Sequence, residues 1–434
     1  MMRRLLMIVP FFPPIAGGGV YRPLSFVRYL PRFGWRTVVI AQRGDSFWIR
    51  DEGLLGQVPP ECEVLRTGTL SGQAVLSRLR RARGATSSPQ KRSSGAFSLA
   101  RRAASFVLTP DSYLGWYPFA MRAAREVTRR ISFDAIYSTS PPETSHLVAL
   151  ALRRHTGLPW VADFRDPWMN LYLFSPPTPA HAAIHRRLER RVCEHAHVLV
   201  TTRWHESWMK SRYAHSPGVT RIPNGFDDEE AAAVLDTRPG PDRFRILHAG
   251  MLTQQRSALP FLRGLERFLA RRPAARRTCD VLFVGARENR NEQAVGEMRL
   301  EDVVHFRDSL PHSETLRLER ESHILLLVKY SNPVYDGMVP GKLYEYIGAR
   351  RPILGLVPEG EAKSLIDELR RGETAPLDDP ELVANAILRM YDHYAEGKLE
   401  DAYDLSPRPE FRRDNLAGDL ARLLDGIVAR DPAR

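Results

Sequence analysis

The chain has 434 residues, 43% of them hydrophobic and 26% charged, with a formal net charge of +12. That balance excludes a disordered or fibrous protein, and the length allows two or three domains with complete cores. No window approaches the roughly eighteen uninterrupted apolar residues that a spanning helix needs. Cys62, Cys193 and Cys279 lack any C-x-x-C spacing, which fits a reducing compartment and points to neither a disulfide framework nor structural zinc.

In chain order, the N-terminal "MMRRLLMIVPFFPP" imitates a signal peptide, but its apolar run is short and ends at two prolines, so a buried first strand is expected. "VYRPLSFVRYLPRFG" follows with Val20, Leu24, Val27 and Leu30 on one helical face and Gly34 at its end, and "WRTVVIA" is a second strand. This is a β-α-β unit of the doubly wound kind. Residues 64–110 contain no Asp or Glu but nine of the positive charges, which leaves +3 elsewhere. The basicity therefore belongs mainly to one insert, whose middle "RGATSSPQKRSSG" reads as a loop and whose flanks "VLSRLRRA" and "FSLARRAASFVL" suit either a helix lying on anionic lipid or a solvated basic surface. With only Phe97 and Phe106 as aromatics, the insert is a poor nucleic-acid binder, and no nucleic-acid partner is expected.

The first domain continues with helix "WYPFAMRAAREVTRR", strand "DAIYST", helix "SHLVALALRRH", strand "WVADF", helix "IHRRLERRVCEH" and strand "HVLVTT". "IPNGFDDEEAAAVLDTRPGPDR" is a connection, after which "FRILHAGML" starts a second α/β series with "PFLRGLERFLARR", "DVLFVG", "VVHF", "HSETLRLERE", "HILLLV" and "PILGLV". The expected domains are 1–223, a linker 224–243, a second domain 244–405 and a helical tail 406–434. Two facing doubly wound domains would leave a ligand cleft at the carboxyl ends of their strands.

Several stretches carry candidate chemistry. In "PPIAGGGVYRP", Gly17, Gly18 and Gly19 lie between the first strand and the first helix, with Arg22 in the same stretch, and free N–H groups there suit an anion. A tight turn without ligand is the alternative. It is neither a dinucleotide fingerprint nor a Walker A loop. "HAGMLTQQRS" repeats the arrangement with Gly250 and Arg256, the latter able to grip a phosphate bidentately. "ADFRDPW" sets Asp163, Arg165, Asp166 and Trp168 at a strand's carboxyl end, to face a ligand or to brace the loop. In "MVPGKLYEYIGARRPILGL", Pro340 and Gly341 open a helix with Lys342 in its first turn and Glu345 three residues on. The helix dipole disfavours a cation there, so Lys342 needs an anion: a bound phosphate, or Glu345 as an exposed pair. His181 and His185 at i, i+4, with Cys193, His195 and His197 nearby, lack the glutamate of H-E-x-x-H, and metal is not expected there.

Taken in order, "FFPPIAGGGVYRP", "IPNGFD" and "PGKLYEYIGARRPIL" resemble the motifs of bacterial family 4 glycosyltransferases of the GT-B fold, over nearly all of the chain outside the basic insert. The resemblance implies transfer of a sugar from a nucleotide-diphosphate sugar to a lipid-linked or polysaccharide acceptor, with retention, in bacterial cell-surface polysaccharide synthesis. It implies donor binding by Gly250, Arg256, Gly341, Lys342, Leu343 and Glu345, with Glu345 on the ribose and Lys342 and Arg256 on the diphosphate. Arg165, Asp166, Arg256 and Lys342 would be the catalytic group, electrostatic stabilisation of the leaving diphosphate being the main device. The sequence departs from the family pattern at Met251, where an arginine is usual, at Gly337, which stands for the first motif glutamate with Asp336 beside it, and at Arg165, where many relatives carry a histidine. No D-x-D occurs, so neither metal nor other cofactor is expected. The location implied is cytoplasmic, with the basic insert against the anionic inner membrane face. A sugar-nucleotide epimerase or a non-catalytic sugar-nucleotide-binding partner of the same fold is the alternative.

Overall fold

The computed structural model describes residues 2–43, 50–70, 109–169, 176–240, 242–252, 257–285, 289–329 and 336–430. The chain divides into two compact units, one of Met1–Pro223 with Arg413–Arg434, the other of Asn224–Arg412.

The first unit holds strands β1 (Arg3–Ile8), β2 (Trp35–Gln42), β3 (Glu63–Thr67), β4 (Ala135–Ser140), β5 (Trp160–Phe164), β6 (His197–Val200) and β7 (Val219–Arg221). They form one parallel sheet in the order β3-β2-β1-β4-β5-β6-β7. The reversal of strand order at β1 and β4 is what a doubly wound sheet shows at its ligand-binding edge. Helices α1 (Tyr21–Tyr29), α2 (Tyr117–Arg130), α3 (Thr144–Thr156), α4 (Pro179–His195) and α5 (Arg203–Arg212) join the strands. As "LPRFG" suggests, α1 runs into a 3-10 turn that ends at Gly34, whose φ of 81° a glycine adopts without strain.

Three sequence expectations change here. The basic insert was bounded from residue 64, but Val64 to Thr67 are paired with β2 as strand β3; residues 71–108, which carry most of its charge, lie outside the described residues. The last helix, α13 (Arg413–Ala429), is narrower than the expected tail and belongs to the first unit. Leu416, Leu420, Leu424 and Val428 join Leu5, Val27, Leu30 and Trp35 in one apolar core, Trp35 Nε1 donates to Asp425 at 2.9 Å, and Arg3 pairs with the same carboxylate. Third, the stretch expected as a bare linker carries α6 (Asp228–Ala232), capped by the Asp227 carboxylate.

The second unit is a parallel sheet in the order β10-β9-β8-β11-β12-β13, built of β8 (Phe244–Ala249), β9 (Cys279–Val284), β10 (Val304–Arg307), β11 (Ile324–Val328), β12 (Ile353–Leu356) and β13 (Gly372–Ala375). Around it lie α7 (Leu259–Arg271), α8 (Asn289–Glu297), α9 (His312–Arg320), α10 (Gly341–Gly348), α11 (Glu361–Glu368) and α12 (Pro380–Ala395). One face buries Phe261, Leu265, Phe268, Val383 and Ile387; the other buries Leu325, Leu343, Tyr346 and Ile347. Among the described residues no helix is long and apolar enough to cross a membrane.

Candidate functional site

In the first unit the glycine loop and the loop after β5 come together. A Cβ on Gly19 would lie 2.4 Å from Arg165 Nη1, so any side chain there would make that guanidinium shift. Arg165 Nε donates to the Ser140 carbonyl at 3.0 Å and Nη2 to the Pro141 carbonyl, which fixes the side chain at the carboxyl ends of β4 and β5. Gly17 has φ +130° and Gly18 faces open space. Arg22, grouped with the glycine loop in the sequence, and Asp163, from "ADFRDPW", form an internal brace. Arg22, 7% exposed, spans the fully buried Asp163 through Nε at 2.8 Å and Nη2 at 3.2 Å and gives Nη1 to the Pro223 carbonyl at 2.8 Å. Tyr137 donates to the same carboxylate. Every nitrogen of the Arg22 side chain is thus engaged, and the bracing alternative describes Asp163 as well.

Asp166 lies in an acidic group that sequence reading missed. Burial raises the Asp166 carboxyl above its ordinary range, with Arg165 opposing. Burial, together with Asp111, pushes Glu143 up to about 8. Asp111 accepts from Thr144 N at 2.7 Å, Thr144 Oγ1 at 2.8 Å and Tyr113 N at 2.8 Å, and so caps α3. The only trace in the sequence is the glutamate of "SPPETSH", just past the β4 run. Trp168 is packed in the core, donating to His185 Nδ1 at 2.9 Å, which accounts for that histidine structurally.

In the second unit, Gly250 follows β8 with φ +154°, and a Cβ on Gly285 would meet the Gly250 carbonyl at 2.1 Å, so the two strand ends touch backbone to backbone. Ala249 N donates to Tyr346 Oη at 3.1 Å, tying this loop to α10. Gly341 has nothing within 4 Å of a built Cβ and no positive φ, so neither packing nor backbone strain calls for glycine at the helix N-terminus. Leu343, by contrast, is fully buried and packs in the core. Arg256 lies outside the described residues.

Lys342 is not in an exposed pair. Its Nζ is 2.6 Å from Glu345 Oε2 and 3.4 Å from Glu319 Oε1 on α9; Lys342 is 26% exposed, Glu345 14% and Glu319 0%. Burial opposes the charge on Lys342, but the two carboxylates outweigh it and hold the ammonium above its ordinary range. Burial likewise drives Glu319 up to about 7 against the pull of Lys342. His312 reaches Glu230 at 3.2 Å beside them.

The far end of α10 is anchored by buried arginines that satisfy its terminal carbonyls. Arg320 Nη1 donates to Ala349 O at 2.7 Å and Arg371 Nη2 to Ile347 O at 3.0 Å. A Cβ on Gly348 would strike the Phe226 ring at 2.5 Å, so "IPNGFD" and "PGKLYEYIG", separate motifs in the sequence, are in contact. Asp336 lies close to Lys329: burial lowers the Lys329 ammonium to about 8, while Asp336 and Glu361 resist. Lys329, buried at the end of β11, is a second residue the sequence did not flag.

No protein-family model matches the chain, and no curated protein matches it in sequence. Solved structures do match in fold. Sucrose-phosphate synthase from Thermosynechococcus elongatus superposes with a TM-score of 0.65 at 16% identity, over 98% of this chain and 99% of that one. A UDP-forming trehalose-phosphate synthase from Burkholderia xenovorans, in complex with glucose-6-phosphate, gives 0.65 at 15% identity over 97% and 100%. Anabaena HepE in complex with UDP and glucose gives 0.61 at 13% over 98% and 100%. The chain has the GT-B architecture of glycosyltransferases, two parallel α/β sheets with alternating helices.

Proposed function

We propose that the chain is a glycosyltransferase that moves a sugar from a nucleotide-diphosphate sugar to a lipid-linked or polysaccharide acceptor, with retention, in bacterial cell-surface polysaccharide synthesis. The observation that carries the proposal is Lys342, held with Glu345 in the first turn of α10 beside an N-terminus that is open at Gly341. An ammonium and the first-turn N–H groups of a helix in one place suit a diphosphate. Solved proteins of the same fold carry UDP, or form it. In this reading Lys342, Arg256 and the α10 N-terminus meet the charge that develops on the leaving diphosphate, and Glu345 accepts from the ribose. Arg165 and Asp166 belong to the side that faces the reacting sugar and the acceptor, and Asp336 stands in for the first motif glutamate.

Membrane attachment is part of the proposal, and α4 supports it. Arg186, Arg187 and Arg190 are exposed and Arg191 half-buried; together with Ile184, 47% exposed, they line one open hollow. Arginines flanking an exposed isoleucine suit an anionic lipid surface. Thermal-shift screening against UDP-, GDP-, ADP- and TDP-sugars, followed by product analysis, tests the function. A donor that stabilises the protein and yields a glycosylated acceptor supports it; an isomerised sugar-nucleotide with no transfer makes it an epimerase. Transfer is expected to survive EDTA, and loss with chelator that magnesium or manganese restores would refute the metal-free reading.

A further inference from the structure

Glu319 is sealed inside the second unit, 0% exposed. Its Oε1 is 3.4 Å from Lys342 Nζ, and its Oε2 has no hydrogen-bond partner. A buried carboxylate with one oxygen unsatisfied is costly and persists only while a cation faces it. The groups packed around it are Lys342, Glu345 and Tyr346 on α10 and His312 on its own helix, with Glu230 of α6 behind His312. Lys342 is the sole cation among these apart from His312 when protonated. Two of its three N–H donors already point at carboxylates.

We propose that Glu319 is a positioning residue that holds Lys342 for the donor and takes up a proton when a nucleoside diphosphate binds. The inference rests on the nucleotide-sugar reading above. Without ligand, Glu319 and Glu345 share the ammonium and keep it at the first turn of α10. An arriving diphosphate draws Lys342 toward itself and places negative charge nearby. Glu319 then loses its counter-ion within a dry environment and is relieved by a proton from solvent, which leaves it neutral. Proton affinity at Glu319 already lies in the neutral range, about 7, because burial opposes its charge. Binding must therefore weaken as pH rises through that range.

The test is calorimetric titration of UDP, GDP, ADP and TDP into wild type, Glu319→Gln and Lys342→Ala at pH 7.5, in two buffers of different ionisation enthalpy. For whichever nucleotide binds, wild type is expected to take up about half a proton or more per nucleotide beyond Glu319→Gln, and its affinity to fall up to about tenfold per pH unit above neutrality, more steeply than the variant's. His312 titrates in the same group, and the difference between the two proteins removes only the carboxyl. Equal uptake in both, with the variant simply weaker at every pH, overturns the proton role and leaves Glu319 a packing residue. The underlying reading fails differently: either no nucleoside diphosphate binds, or Lys342→Ala binds as tightly as wild type, and in each case the inference falls with it.

Discussion

Replacing Lys342 by alanine should destabilise the second unit in a way that depends on pH, because it strands Glu319. Burial holds that carboxyl at about 7 against an ordinary 4.5, a difference that costs roughly 3 kcal/mol once the group is ionised. Its folded-state pKa lies above the unfolded one. The stability it contributes is therefore fully present below about pH 4.5 and is lost as pH rises through about 7. Without Lys342 the folded value rises further, and each unit of that rise costs about 1.4 kcal/mol in solutions more alkaline than the new value. Lys342→Ala should accordingly lose under about 1 kcal/mol at pH 6, where Glu319 is largely protonated in both proteins, and roughly 2 to 3 kcal/mol at pH 9. Adding Glu319→Gln should abolish the pH dependence. All seven tryptophans lie before residue 224, so tryptophan fluorescence reports the first unit and serves as the unchanged control. Hydrogen exchange of the peptide spanning α10 gives the second unit's stability. A loss below about 0.5 kcal/mol at pH 9, with no effect of Glu319→Gln on it, would return Lys342 to the class of exposed ion pairs.

Three other outcomes follow from the same geometry. In transfer assays Lys342→Ala should lower turnover roughly tenfold to a thousandfold, the scale of one lost charge-stabilising contact, whereas Glu345→Ala should chiefly raise the donor KM; wild-type kinetics from both, with donor below saturation, would defeat the donor assignment. Gly19→Ala should force the Arg165 guanidinium to shift away from a Cβ only 2.4 Å distant and loosen its bonds to the Ser140 and Pro141 carbonyls, at a stability cost of no more than about 1.5 kcal/mol because the tip of a half-buried side chain moves. The change should lower turnover while leaving nucleotide affinity intact, and it is checked by kinetics beside calorimetry; an unaffected turnover removes Arg165 from the reaction. Arg186→Gln with Arg187→Gln, Arg190→Gln and Arg191→Gln should reduce sedimentation with phosphatidylserine liposomes several-fold and more so at low salt, and unchanged sedimentation would take α4 out of the membrane reading.

How much the sequence disclosed depended on whether a signal was local. Central strands such as β1 and β11 stood out because burial on both faces writes a continuous apolar run. The strands that escaped notice, β3, β7 and β13, are all at sheet edges, are half-buried almost throughout and read as "EVLRT", "VTR" and "GETA", with no such run. The same rule sorts the site. Lys342 and Glu345 share a helix turn, so their pairing could be read from spacing. Glu319 lies 23 residues upstream, and its approach is decided by how α9 packs beside α10. Arg22 and Asp163 are 141 residues apart; each was legible as a loop residue of interest, but only the closing of the sheet turns two candidate ligand groups into one internal brace. Gly19 and Arg165 illustrate the converse. Both were singled out separately, and the structure makes the glycine intelligible through the arginine: the missing Cβ is the space the guanidinium occupies. A sequence can mark a position as special by residue type, but what it is special for is set by the partner that the fold delivers.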